Sequence, residues 1–350
     1  MKKSILGLAA LALLASCNND EELNSLAPEA ITFGNPFVDN ATRAIDPSYG
    51  QNKDLTQFNV WGAVKGKNAE QQDVWVPIFA NDAVTGAVGN EVWQLGEGVQ
   101  QQYWIADSEY HFAAVVNGGA NSNFGTLTEG LPTQVSFTSN DATDLLYAYA
   151  ERNTASGTGP VNFSFDHMLA KAVVTVSNNT NTNTTGANGN YVQSGYFYRV
   201  KNVQLANVVK SGTCEFSTKA WSSTVAEKSS AAAVVFGDIT NAEQSATNSE
   251  AIKIEDKASK LTSHNARMII PQTITKENFA VSFTLELYMM NGTEEVLIST
   301  EQKTVKPTAD VTFVAGHSYS FDITVGVGSP IQFTVTSKPT WTGGSGVDVK

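Results

Sequence analysis

Phe279-Ala-Val281-Ser-Phe283-Thr-Leu285-Glu-Leu287-Tyr-Met289 decides the fold class of this chain. Large apolar residues recur at every second position along it. An extended chain points alternate side chains to opposite faces, whereas a helix repeats them about every 3.6 residues. The stretch therefore reads as a strand with one buried face and one wet face. Ser318 to Val325 repeats the pattern, with Tyr319, Phe321, Ile323 and Val325 on one side and Ser, Asp and Thr on the other.

Working outward, short strands follow one another at the spacing of β-sandwiches. A first group is predicted at Phe58–Val64, Val74–Phe79, Glu91–Leu95, Gln102–Ile105, Tyr110–Val116, Gln134–Thr138 and Leu145–Ala150. Trp61, Trp75, Trp93 and Trp104 fall within it and are read as its core, because burying large aromatics is the main source of stability in such a unit. Glu151 to Pro160 holds no apolar residue larger than alanine, which places a domain boundary there. A second group follows at Val161–Phe165, Ala172–Ser177, Tyr196–Val209, Ala251–Ile254, Arg267–Ile270, Phe279–Met289, Val296–Thr300, Val311–Phe313 and Ser318–Val325. Within Tyr196–Val209 the apolar phase slips between Val200 and Val203, which predicts a bulge. Asn178–Asn190 reads as a polar loop and Ser223–Val235 as a short helix.

Beyond Val325 the run Gly326-Val-Gly-Ser-Pro330 breaks the strand, yet Ile331–Thr336 forms one more, with Ile331, Phe333 and Val335 pointing the same way. Two fates are open to it: folding back as an edge, or leaving.

The chain has 350 residues, 16% of them charged, and a net charge of −12. No basic stripe could offset phosphate repulsion, so a nucleic-acid partner is excluded. Lys2 and Lys3 precede an apolar run from Ile5 to Leu14, and Leu14-Ala15-Ser16-Cys17 closes it. This is a secretory signal too short to span a bilayer, and Leu-Ala-Ser-Cys has the lipobox pattern of bacterial lipoproteins. That likeness implies cleavage before Cys17 and acylation of its sulfur, palmitate included, on an outer-membrane precursor. Cys214 is the second and last cysteine, and it reads as a small buried hydrophobe.

Catalytic patterns are missing. His111, His167, His264 and His317 are scattered without metal-ligand spacing, and His167 reads as a packed core residue. Nucleophile elbows, zinc-protease motifs and phosphate loops do not occur. No enzyme, cofactor or metal is expected.

Several phrases resemble the fimbrillin family, the type V pilin subunits and their accessory lipoproteins. They are Thr42-Arg43-Ala44, Tyr110-His-Phe-Ala-Ala-Val-Val116, Asp144-Leu-Leu-Tyr-Ala148, Phe165-Asp-His-Met-Leu-Ala-Lys-Ala-Val173, Met268-Ile-Ile-Pro-Gln272 and Ala315-Gly-His-Ser-Tyr-Ser-Phe-Asp-Ile-Thr-Val325. The resemblance implies an all-β chain of two tandem transthyretin-like antiparallel β-sandwich domains with a C-terminal donor strand. It divides the chain into a signal peptide at 1–16, a propeptide at 17–43, domains at 44–159 and 160–329, and a donor tail at 330–350.

The family's assembly logic then maps onto this chain. An Arg-specific surface protease cuts between Arg43 and Ala44, removing the lipid on Cys17 together with the first strand, which carries Ile31, Phe33 and Phe37. A sister subunit, or a related pilin, fills the groove with its Ile331, Phe333 and Val335. The product is a pilus serving adhesion, this chain being read as a stalk subunit. Arg152, placed in the interdomain linker, competes with Arg43 as the cut site; Arg199 and Arg267 lie in or beside strands, where folded backbone resists proteolysis. The rival reading is a cell-surface lipoprotein that binds glycans through its tryptophans. Receptor, position in the filament, and docking of the C-terminal strand are not legible in the sequence.

Overall fold

The computed structural model describes residues 29–38, 55–87, 92–117, 123–141, 143–178, 183–185, 191–193, 196–222, 232–239, 261–262, 266–326 and 330–339. Among these residues the chain is all-β, with a single 3-10 turn at Thr154–Ser156 and no α-helix. The principal strands are β1 (Phe37–Val38), β2 (Gln57–Lys67), β3 (Asp73–Thr85), β4 (Glu109–Val116), β5 (Gln134–Thr138), β6 (Leu146–Asn153), β7 (Ser164–His167) and β8 (Ala170–Asn178). They continue as β9 (Tyr196–Val208), β10 (Ser211–Glu215), β11 (Ala232–Gly237), β12 (Arg267–Ile269), β13 (Val281–Asn291), β14 (Glu294–Val305), β15 (Ser318–Val325) and β16 (Gln332–Lys338).

The first unit is a seven-stranded sheet in the order β1-β7-β6-β4-β2-β3 followed by Gln94–Leu95. Central β4 is buried on both faces: Tyr110, Phe112, Ala114 and Val116 point to one core, Ala113 and Val115 to another. Edge-side β3 carries Pro77 where its register against β2 shifts, the position in a sheet that tolerates a residue without an N–H. Over the Phe112 face lies a second layer built from segments rather than long strands, and it supplies Ile31, Phe33, Trp93, Trp104, Val161 and Phe163.

The second unit is a sandwich of two sheets. One runs from Leu261–Thr262 through β8 and β15 to β16, with β12 also on β8; the other is β11-β9-β13-β14. Val174 and Val176 of β8 and Phe321 and Ile323 of β15 meet Val200 and Leu205 of β9 and Val281 and Phe283 of β13 in one core. Most pairings are antiparallel; β8 with β15 and β1 with β7 run parallel. The two units are not separate beads. The opposite face of the first sheet, through Trp61, Ala113 and Val115, shares a third core with Val135 on β5, Cys214 on β10, and Met168, Leu169, Met268 and Ile270.

The strand series read from sequence reappears with shifted ends, and two stretches of it, Gln134–Thr138 and Ser318–Val325, match to the residue. The bulge in β9 is present as a register shift against β13 between Lys201 and Gln204. Four expectations change. Gln102–Ile105 makes only the isolated bridge Ala30–Tyr103, because its neighbour in that layer is a broken segment. Residues 232–235 of the expected helix are strand: Val234 and Phe236 are buried while Val235 between them is exposed, a period of two. Within the expected loop 178–190, Asn183–Thr185 pairs with Tyr191–Gln193 as a small ribbon. Val161, Phe163 and Phe165, which the sequence reading grouped with the second series of strands, pack in the first core. Ala251–Ile254 lies outside the described residues.

Candidate functional site

The segment 29–38 lies between two stretches of chain and bonds to both. On one flank Trp104 N donates to Glu29 O (2.9 Å), Ile31 N to Gln102 O (2.8 Å) and Trp93 N to Phe33 O (2.8 Å). On the other flank Val161 N donates to Thr32 O (2.8 Å), Gly34 N to Val161 O (3.0 Å) and Phe37 N to Phe163 O (2.8 Å). The segment is thus the middle member of the covering layer, antiparallel to 93–103 and parallel to 161–165.

Alternation drives its side chains inward. Ile31 is 1% exposed and Phe33 0%. The Phe33 ring stacks on Phe163 at 6.0 Å between centroids and meets Phe79, Phe58 and Phe112 edge-on at 5.6, 6.1 and 6.4 Å. Without the segment, those five aromatic neighbours and flanks, Trp93 included, would line an open slot, bordered by unpaired N–H and C=O groups.

Gly34-Asn35-Pro36 interrupts the ladder. Pro36 has no N–H to give. A Cβ at Gly34 would stand 2.0 Å from Asn162 Oδ1, so the backbone there passes close under that side chain. The break also costs the period: Phe37, four residues after Phe33, is 38% exposed, so it does not belong with Ile31 and Phe33 as a buried anchor.

In the second unit β16 is docked. It pairs antiparallel with β15 from Ser318–Lys338 to Thr324–Gln332 as the outer strand of its sheet. Ile331, Phe333 and Val335 pack against the second core but stay half-buried, and Gln332, Thr334 and Thr336 face solvent. The sequence-predicted residues therefore form two separate sets, Ile31 with Phe33 in the first core and Ile331 with Phe333 and Val335 at the edge of the second. Cys17, Arg43 and Ala44 lie outside the described residues.

Arg152 is not in a linker. It sits within β6, paired in the ladder with Tyr110, and its guanidinium donates to Pro160 O at 3.3 Å. The stretch without large apolar residues misled the reading, because β6 continues to Asn153 as an edge-exposed end of a paired strand. Arg199 and Arg267 lie in β9 and β12.

Of the four early tryptophans, Trp61, Trp93 and Trp104 are buried, whereas Trp75 lies flat against His111 at 3.7 Å, outside the cores. His167 is buried and bonded to Asp144. Among the described residues no cluster of His, Cys, Asp or Glu could hold a metal ion, and no helix is long and apolar enough to cross a membrane. The slot's flanks, Trp93, Gln102 and Val161, went unrecognised in sequence. The signal was present in Val161-x-Phe163-x-Phe165, whose alternation belongs to the first core rather than to the second group.

The described residues ahead of Arg43 are thus a broken segment whose Ile31 and Phe33 are buried, and those near the C-terminus an intact, half-buried strand. A fimbrillin-like family model matches residues 42–339. The chain belongs to the fimbrillin-like family. Fimbrillins are structural subunits of adhesive pili, and the chain is assigned to that class. Its fold is similar to that of a fimbrial protein from Bacteroides vulgatus, at a TM-score of 0.57 and 14% identity over 89% of this chain and 99% of that one. It is similar also to a candidate cell adhesion protein from Bacteroides ovatus, at a TM-score of 0.50 and 18% identity over 89% and 96% of the two chains. No curated protein sequence matches it.

Proposed function

We propose that this fimbrillin-like chain is a stalk subunit of an adhesive pilus that polymerises by protease-triggered strand exchange. It is exported as a lipoprotein acylated on Cys17 and held at the outer membrane. An Arg-specific surface protease cuts after Arg43. The cut releases residues 29–38 from the first unit and leaves an apolar slot whose flanks carry unpaired backbone groups. A strand from a neighbouring subunit restores the ladder and fills the slot, as in β-augmentation.

One observation supports this most: the segment that a cut after Arg43 would detach supplies Ile31 and Phe33, both fully buried at the centre of the first core. Burying two such side chains contributes roughly 1.5–3 kcal/mol each, enough to make the emptied subunit seek a replacement. Arg152, Arg199 and Arg267 all sit in paired strands, which favours Arg43 as the accessible site.

Purified precursor treated with an Arg-specific protease should acquire a new N-terminus at Ala44 and run as boiling-resistant ladders. A correctly cut product that stays monomeric at high concentration contradicts the proposal. The glycan-binding reading draws on Trp75, the early tryptophan outside the cores, and on Tyr149, which is 47% exposed and meets the same His111 ring that Trp75 stacks on. Saturable oligosaccharide binding by the uncut protein, lost in Trp75→Ala, would favour it.

A further inference from the structure

Ile-x-Phe occurs twice in this chain, as Ile31-Thr-Phe33 and as Ile331-Gln-Phe333. The first copy fills the slot and the second stands on the strand that would be donated. We propose that a second copy of this same chain completes the slot in one fixed register: Ile331 takes the place of Ile31, Phe333 that of Phe33, and Thr334 that of Gly34. The donated strand runs in the same direction as the segment it replaces. This rests on the strand-exchange reading and adds to it the partner and the alignment.

Three features of the structure carry it. The first is shape. The slot holds a β-branched aliphatic side chain followed, two residues on, by a phenyl ring wedged among Phe58, Phe79, Phe112 and Phe163. Ile331 and Phe333 offer the same volumes in the same order. A strand run in reverse would put the ring in the isoleucine pocket, and a shift by two residues would put Val335 or Ile331 where Phe33 belongs; cores resist such volume changes.

The second feature is burial. Ile331 and Phe333 are half-buried at the edge of the second core, whereas Ile31 and Phe33 are 1% and 0% exposed. In the slot the donated side chains lie deeper than in β16's present berth, which recovers part of the apolar surface that β16 uncovers on the second core when it leaves.

The third feature is the backbone. The resident segment has no N–H at Pro36 and meets the flank again only at Phe37, whose N donates to Phe163 O, whereas Thr336 at the place of Pro36 carries its N–H. A continuous strand can therefore keep the ladder without the break that Pro36 imposes. The one obstacle is Thr334, whose Cβ would fall where Gly34 leaves room beneath Asn162. The Asn162 side chain is exposed and the contact is with its far end, so it can swing into solvent.

That same proximity supplies the test. A Cβ at position 34 would lie 3.1 Å from Asn162 Cγ, so a cysteine at the residue replacing Gly34 is within disulfide reach of one at 162. Three double variants of the full precursor are made: Asn162→Cys with Thr334→Cys, with Gln332→Cys, or with Thr336→Cys. All four positions are exposed or lie at strand edges, and uncut monomers should keep the wild-type melting temperature. Cys214 is fully buried and does not compete. After cleavage and oxidation, the Asn162→Cys/Thr334→Cys protein should form a covalent ladder that reducing agent collapses, and the other two should not. Fibres whose cross-links form in the Gln332→Cys or Thr336→Cys variant instead would overturn the register while leaving strand exchange standing. Fibres of the purified chain with no cross-link in any of the three would overturn the assigned slot. Failure of the cut wild-type protein to form fibres would remove the strand-exchange reading and the register with it.

Discussion

The two units of this molecule close their cores in opposite ways. In the second, Phe321 and Ile323 belong to an unbroken strand that is hydrogen-bonded to β8 on one side and β16 on the other. In the first, the equivalent covering layer is patched from 29–38, 92–105 and 161–165, joined by isolated bridges. The contrast is sharper because the units share a building element. Ile105 N donates to Tyr110 Oη at 2.7 Å, and Val314 N donates to Tyr319 Oη at 2.9 Å, each across five residues at the start of a central strand. Trp104 meets Tyr110 edge-on at 4.9 Å, and Phe313 meets Tyr319 at 4.8 Å. Burial raises both tyrosine pKa values above the usual range. Two units begun alike thus differ in whether the chain finishes the core with a continuous ladder or with a short plug held by isolated bridges. The plug lies ahead of the arginine that the account places at the cut.

The largest expected effect compares the two Ile-x-Phe copies in the uncut protein. Phe33→Ala should destabilise the first unit by about 3–5 kcal/mol, read from denaturant unfolding, because it empties a fully enclosed pocket. Phe333→Ala should cost only about 1–2 kcal/mol in the same monomer, because that ring is already half in water. In the assembled fibre the ranking should reverse, with Phe333→Ala abolishing boiling resistance. Equal effects in the monomer would break the comparison.

A deletion of everything from Pro330 onward should lower the monomer's melting temperature by a few degrees, as expected for loss of one edge strand, roughly a 1–3 kcal/mol change. It should abolish fibre growth outright. A deletion mutant that still polymerises would show that β16 is an ordinary edge.

How far the sequence reveals this arrangement depends on which physical signal each part leaves. Strands such as β13 and β15 were legible because one face is wet, so polarity alternates. The bulge in β9 was legible for the same reason, through its slipped phase. The slot was half legible: Ile31 and Phe33 declare a buried strand, but their flanks do not. Gln102 and Trp93 bond through backbone atoms, which carry no side-chain signature. Phe37 reads as part of the same first strand, and Gly34-Asn35-Pro36 takes it out of phase. Arg152 looked like linker because the end of β6 outlasts its pairing with β7, bonds only to β4 and carries polar residues there. The shared start of β4 and β15 is visible as Ile105-Ala-x-x-x-Tyr-x-Phe112 and Val314-Ala-x-x-x-Tyr-x-Phe321, a repeat too short to single out until the structure shows both tyrosines making the same bond.

Smaller effects test whether the rest of the molecule is as rigid as the comparison requires. On the wall of the second sandwich Lys201 Nζ lies 2.9 Å from Glu286 Oε2. Burial is the largest single influence and acts to raise the Glu286 pKa, but the hydrogen bonds from Lys201 and Tyr288 and the charges of Lys201 and Arg199 together outweigh it and hold it below the ordinary value of 4.5. A carboxylate with a lowered folded-state pKa stabilises above its unfolded value and loses that contribution as pH falls through the folded one. Glu286→Gln should therefore cost roughly 0.5–1 kcal/mol at neutral pH and nothing at pH values well below 4.5, measured by unfolding across that window.

Cys214 is expected to show no change. It lies in the third core, and burial pushes its thiol up to about 12. At pH 8–9 it should stay unlabelled by iodoacetamide before and after the cut, and react only in denaturant. Labelling that appears on cleavage would mean that opening spreads through the shared core instead of staying at the slot.

Amide hydrogen exchange at Trp93 and Val161 tests the central claim most directly, because these two N–H groups bond to the carbonyls of Phe33 and Thr32. Both should be protected in the precursor and lose protection in the cut subunit kept monomeric by deletion from Pro330 onward. A peptide spanning residues 330–339 should restore them. Protection that survives the cut with nothing added, or that the peptide fails to bring back, would contradict the account.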